Sequence, residues 1–181
     1  DPYLSRGLGD VYKRQGVAQA FTELVDSAGI QDVSSLIVGG ELNALGQSLN
    51  SISADAESVD GKAIGTSKLT GKIEGLEADG ISVSSDAGIQ GLAQLTNSAD
   101  AATAKGASSA TANIANLQGA DLDTLSVGGI ASIAGQATLS NAASSSNVDG
   151  GTSQSLASLT DADGLEGLQS INVSSDAGLT G

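Results

Sequence analysis

Oxygen is the only ligand chemistry this chain offers in quantity. It carries 21 Asp and Glu against 7 Lys and Arg, with no histidine and no cysteine. Without histidine it lacks the commonest general base and the commonest transition-metal ligand. Without cysteine it has no disulfide, no thiolate nucleophile and no cysteine-held zinc or iron–sulfur site. Serine and threonine are abundant, but no G-x-S-x-G occurs, and a serine triad cannot be assembled without its base. Hard-cation binding by carboxylates is the chemistry that remains open.

Three short strings test that opening. Asp161, Asp163 and Gly164 form "DADG", similar to the start of a calcium loop. An EF-hand needs a bidentate Glu at loop position 12, where Asn172 stands, so the pattern fails. These are read as solvated turn carboxylates, leaving room only for weak Ca²⁺ binding by stacked acids. "GTSKLTGK" (Gly65–Lys72) approximates a phosphate loop, but its glycines are one residue too far apart and Ile73 replaces the required Ser or Thr. Lys62, Lys68 and Lys72 are expected on an exposed face near Glu74 and Glu77. "NVS" (Asn172–Ser174) is a lone glycosylation sequon of the kind chance supplies in a Ser-rich chain. No catalytic, cofactor-binding or metal residue is therefore assigned.

The elements that would position these residues repeat. Val38, Val83, Val127 and Val173 fall 45, 44 and 46 residues apart, and "VGG" and "VSSDAG" headers alternate with them. A fixed period of this size means one structural unit used repeatedly, each copy burying its face on its neighbours. The units are 38–82, 83–126 and 127–172, with a partial unit at 16–37 and the start of another at 173–181.

Within a unit the alternation has period two. Val127, Gly129, Ala131, Ile133, Gly135, Ala137 and Leu139 face one way, as do Val83, Ser85, Ala87, Ile89, Gly91, Ala93 and Leu95, and Val38, Gly40, Leu42, Ala44 and Gly46. That predicts strands with one buried face. Gly46, Gly91 and Gly135 share one repeat position, which predicts a bend or a close backbone approach. Asp60–Gly61 and Asp149–Gly150 read as tight turns. Leu24, Leu69 and Leu159 each lie 14 residues before a repeat valine, while Leu117 lies 10 before Val127, which reads as a four-residue deletion. "VAQAFTEL", with Ala18, Phe21, Leu24 and Val25 on one helical face, predicts a short helical turn ended by Gly29.

The fold expected is mainly β: a β-solenoid-like repeat protein with units of about 45 residues and short helical turns. Val38 to Val59 and Val127 to Val148 are both 21 residues, which suggests two coils of about 22 residues per unit. The alternative is a stack of long antiparallel hairpins. Small residues dominate, so the core must be thin, with closely spaced backbones.

The first fifteen residues hold the only proline, both tyrosines and both arginines. Their string "GDVYKRQ" resembles translated sequencing-adaptor read-through, and 1–15 are set aside as a probable non-native segment. The missing initiator Met and the mid-unit start and stop predict an internal fragment of a longer array. The remaining residues carry 4 Lys against 19 Asp and Glu. That negative field disfavours nucleic acid and anionic membrane surfaces, and no apolar run approaches the roughly 20 residues of a membrane span.

"ANLQGADLDT" (Ala115–Thr124) resembles two pentapeptide repeats, centred on Leu117 and Leu122, but the other units do not reproduce it. From Gly16 to Gly181 the chain resembles the acidic, Ala/Gly/Ser-rich repeat arrays of large secreted bacterial surface proteins: adhesins, S-layer-associated proteins and filament subunits. The resemblance implies an extracellular or cell-surface location and a structural, non-catalytic role. Its partners would be neighbouring repeats of the parent chain, a second copy by self-association, or a surface glycan. Rival expectations are a ligand-binding solenoid (ice, glycan or calcium) and a phage tail-fibre segment. An ice-binding face would need threonine ladders, and Thr138 aligns with Gln94.

Overall fold

The computed structural model describes residues 11–181, all of whose regular elements are strands. Each turn of chain is one flattened coil with two walls. The coil that is complete and covered on both sides is β6 (Ala87–Val127), a single long strand that travels out along one wall and back along the other. Below it, β4 (Leu42–Leu69) and β5 (Lys72–Val83) trace the same path, and above it β7 (Ala131–Asn147), β8 (Thr152–Glu166) and β9 (Ser170–Val173) repeat it. The half-coil of β1 (Val11–Leu24), β2 (Ser27–Val33) and β3 (Leu36–Val38) lies beneath, and β10 (Ala177–Thr180) begins the next coil.

Every pairing in this sheet is parallel, with a register offset of 44–46 residues. Val38 lies against Val83, Val83 against Val127, and Val127 against Val173. The β-solenoid expectation therefore holds, and the antiparallel hairpin stack does not. The suggested pair of 22-residue coils is corrected: one coil takes the whole unit. The 21-residue spacing is half of its circumference, carrying the chain from the narrow turn beside Val38 or Val127 to the far tip beside Val59 or Val148.

Sequence explains the tips. Gly61, Gly106 and Gly150 have φ of 117°, 115° and 75°, a region that costs glycine little and other residues more. The two Asp-Gly turns are where the alternation placed them, and Lys105–Gly106 supplies the same bend in the middle coil. At the opposite end Asp86 clamps the narrow turn, its Oδ1 accepting from Ile130 N at 2.8 Å and its carbonyl from Leu42 N at 3.0 Å.

The walls face each other across the thin interior expected from composition. Near the narrow turn the filling is aliphatic: Leu76, Ile81, Val83, Ile89, Leu122, Leu125, Val127 and Ile133. Midway it is Ile52, Leu69, Ile73, Leu95, Ile114 and Leu117. Towards the far tip it is alanine: Ala54, Ala56, Ala63, Ala99, Ala101, Ala110 and Ala112. Burying one Leu or Ile contributes about 1.5–3 kcal/mol, so the stabilisation is concentrated in the first two clusters.

A waist separates the first two. A Cβ on Gly91 would lie 2.1 Å from the Gly119 carbonyl oxygen, and one on Gly135 would lie 2.0 Å from that of Gly164. Gly46 meets Gly75 in the same way, at 2.1 Å. Two glycine ladders, Gly46–Gly91–Gly135 and Gly29–Gly75–Gly119–Gly164, thus bring opposite walls into backbone contact. The close approach expected at Gly46, Gly91 and Gly135 is present.

Asn97 is the largest of several polar side chains inside, among them Ser48, Ser58, Ser67, Thr103 and Ser108. It is 1 % exposed, stacks on Asn141 in register and donates to Asn141 Oδ1 at 3.0 Å, while Ser67 Oγ donates to Asn97 Oδ1 at 2.5 Å. Asn141 Nδ2 continues to the Ala112 and Ser158 carbonyls. A satisfied polar ladder of this kind fixes register, because a two-residue slip, which keeps it facing inward, would bury it unpaired.

Two further expectations are corrected. No helix forms among the described residues: "VAQAFTEL" is β1, with Ala18, Ala20 and Thr22 inward and Phe21 and Val25 outward. The edge of β4 offers β1 a full ladder of partners, which outweighs the helical spacing of four apolar residues. Gly29 ends no helix; it belongs to the waist, where a Cβ would sit 2.3 Å from Gln47 N. Nor is Leu117 the shifted counterpart of Leu24 and Leu69. That place is taken by Ile114, which follows the Lys68–Asn113 pair and itself pairs with Leu159. The middle coil is one residue shorter than the coil below, not four: where Thr70 and Gly71 stand between β4 and β5, β6 passes straight through Ala115. Of the segment set aside as non-native, 1–10 lie outside the described residues, and 11–15 extend β1 in register with β4.

Candidate functional site

The carboxylates of Asp161 and Asp163, expected in a turn, share the outside of the returning wall with Glu74 and Glu77, expected on an exposed face. Parallel register places copies of one repeat position on one row. Glu74, Gln118 and Asp163 form a row, Lys72, Asn116 and Asp161 a second, and Glu77, Asp121 and Glu166 a third. Neighbouring rungs are about 4.8 Å apart. Six carboxylates and one ammonium therefore share a groove three coils long.

The groove is sheltered at Glu74 and Gln118, while Asp161 and Glu166 on the outer rung are exposed. Gln118 is only 5 % exposed and Glu74 also 5 %. The reason is local: alternation breaks around Leu117–Ala120, where four successive residues are buried as the wall bends into the waist. That bend folds the outward side chains at 116 and 118 under their neighbours. Gln118 Oε1 and Asn116 Oδ1 are buried and accept no hydrogen bond. The Lys72 ammonium contacts Glu74 Oε1 and lies 3.6 Å from Asp121.

Electrostatics follow from this crowding. Burial raises the Glu77 pKa above its ordinary value, and the Glu74 charge adds to the effect. Glu166 is raised by burial and then by Asp163 and Asp121. Burial pulls Lys72 down, but Glu74, Asp121 and Glu77 together override it and leave its pKa raised. Glu23, by contrast, is lowered, mainly by a hydrogen bond from Lys68. As the side chains stand, no three carboxylates among the described residues converge closely enough to hold a metal ion.

No protein-family model matches the chain, and no curated protein or solved structure matches it significantly.

The other residues singled out from sequence are dispersed. Lys68 pairs with Glu23 at 3.0 Å and lies 5.3 Å above the Phe21 ring. Lys62 stands in a separate row with Ala107 and Thr152, so only Lys72 joins Glu74 and Glu77. Asn172 of the sequon lines a shallow depression of about 350 Å³ with Ser35, Ile37, Ser82, Thr124 and Ser126. Thr138 does lie against Gln94, and that row continues to Leu49. Thr66 and Thr111 stack, but Phe21 and Leu156 occupy the same row.

Sequence reading missed Asn116, Gln118, Asp121 and Glu166. The signal was available: the 44- and 45-residue offsets, applied to each acid in turn, generate the rows.

Proposed function

We propose that this chain is a structural spacer segment of a large secreted or cell-surface protein of the adhesin, S-layer-associated or filament type, and that it performs no catalysis. The observation that carries the reading is the register. Three successive coils stack residue on residue with offsets of 44–46, and the waist holds their walls in backbone contact. Each added coil then lengthens the rod by about 4.8 Å without altering its cross-section. The acidic composition suits an extracellular surface that must stay dispersed.

The test is a chain in which residues 87–130 are duplicated. Small-angle scattering should report a particle longer by one rung at constant cross-sectional radius, with unfolding no easier than in the parent. A duplicated coil that loops out, leaving length unchanged and unfolding separately, would sink the spacer reading. Sedimentation distinguishes the tail-fibre alternative, which requires an obligate trimer. The depression beside Asn172 favours the second reading, a glycan-binding solenoid, which glycan-array binding by the intact chain would support.

A further inference from the structure

We propose that the groove holds a calcium ion one rung above Lys72, in a cradle formed by Asn116, Gln118 and Glu166 with Asp121, Asp161 and Asp163 around it. Repeat equivalence places the ion there, independently of the spacer role. In the lower coil Lys72 sends its ammonium to Glu74, two residues along the same strand, and to Asp121 of the coil above. The register maps that trio onto the next coil residue by residue: Lys72 onto Asn116, Glu74 onto Gln118, and Asp121 onto Glu166.

The chemistry changes sign at the mapped position. Where the lower coil supplies a cation, the upper one supplies two amide oxygens. Asn116 Oδ1 and Gln118 Oε1 are both buried and unpaired, and leaving such acceptors unmatched is costly. Lys72 and Asn116 are followed in the same row by Asp161, so no cationic side chain stands at the two upper rungs. Like charges directly opposite one another in a sheet repel, and Asp121 lies directly between Glu77 and Glu166 in the third row. A bound cation answers both demands at once.

The donors identify the cation. They are carboxylate and amide oxygens exclusively, the set that suits a hard ion and lacks the imidazole and thiolate that favour zinc or copper. Ca²⁺ accepts six to eight oxygens in irregular geometry, which suits a groove whose donors come from two amides and several mobile carboxylates. Mg²⁺ demands a near-ideal octahedron and gives up its water reluctantly. Gln118 is fixed by burial and Asn116 is half-buried beside it, and Asp161, Asp163 and Glu166, on the outer rung, rotate inward to complete the shell.

The experiment uses the whole chain stripped with EDTA and titrated with CaCl₂ by calorimetry and thermal unfolding, with MgCl₂ in parallel. The expected result is one saturable Ca²⁺ site filling by about 1 mM, the range of extracellular calcium modules, with a higher Tm that Mg²⁺ does not reproduce. The decisive variant is Asn116→Lys, which rebuilds the Lys72 arrangement one rung up. It should lose calcium binding and, in EDTA, unfold at a higher temperature than the parent. Should it fail to give a β-type circular dichroism spectrum, Glu166→Gln serves instead and should weaken binding about tenfold or more. Glu57→Gln, on the other wall, should bind as the parent does. Absence of Ca²⁺ heat and of any Tm change in the parent, or undiminished binding by a folded Asn116→Lys or Glu166→Gln chain, overturns the proposal.

Discussion

The waist and the groove lie on the two faces of one bend in the returning wall, and the same register builds both. At the waist, stacking puts glycine upon glycine, and the repetition is favourable because each rung needs the same absence of a side chain. In the groove, stacking puts carboxylate upon carboxylate, and the repetition is unfavourable because like charges sit one rung apart. A parallel in-register coil thus imposes sameness without regard to its consequence. At the waist the sequence complies with glycine at every rung; outside, it relieves the strain by substitution, placing Lys72, Asn116 or Gln118 where another acid would stand.

The largest expected effect is at the waist. Gly91→Val should prevent folding or cost well over the roughly 1–3 kcal/mol typical of overpacking, because its Cβ meets backbone, not a side chain able to move. Gly39→Ala, where a Cβ meets nothing within 4 Å, should leave the urea midpoint unchanged. Equal effects of the two would erase the contrast between ladder and loop glycines.

Next in size is the interior. Leu95→Ala should cost about 2–5 kcal/mol by urea denaturation, as large-to-small changes in packed cores do. Asn97→Ala should cost about 1–3 kcal/mol by leaving Ser67 and Asn141 unpaired. If Asn97→Ala proved neutral, the polar ladder would be dispensable to register.

The smallest effect belongs to the groove and is read by pH. Glu77 and Glu166 titrate above their ordinary value of 4.5 when folded. The unfolded chain gives up those protons more readily, so this stabilising contribution is complete at low pH and is lost as pH rises through the folded values. In EDTA the urea midpoint should therefore rise as pH falls from neutrality towards 4.5, and the rise should shrink in the Glu77→Gln/Glu166→Gln double variant. Glu23, whose pKa is lowered, acts oppositely, its contribution fading as pH falls. A midpoint that falls monotonically with acid in both proteins would show that the groove carboxylates are not under mutual strain.

Much of this architecture was legible in the chain. Four valines and a period-two pattern gave the repeat, the strands and the buried set, because a two-residue alternation survives wherever one face is buried. The glycines at 46, 91 and 135 were recognisable because they recur at one position. What was not legible was the partner of each residue. The 21-residue echo could equally mean a short coil or half of a long one, and only pairing decides. The apolar spacing in "VAQAFTEL" fitted a helix because eight residues cannot reveal that a strand edge awaits them. The groove stayed hidden for a related reason. Asp161 and Asp163 look like turn residues until the offset brings Asn116 and Gln118 beneath them, and burial of an outward amide arises from a bend that no local pattern announces.

The 45-residue coil also sets how this stack would give under load. Peeling one coil from the end shortens the stack by a single rung, about 4.8 Å. The freed chain can extend to roughly 150 Å at 3.3–3.6 Å per residue. Each detached rung would return some thirty times the length it occupied, a reserve of slack metered out coil by coil.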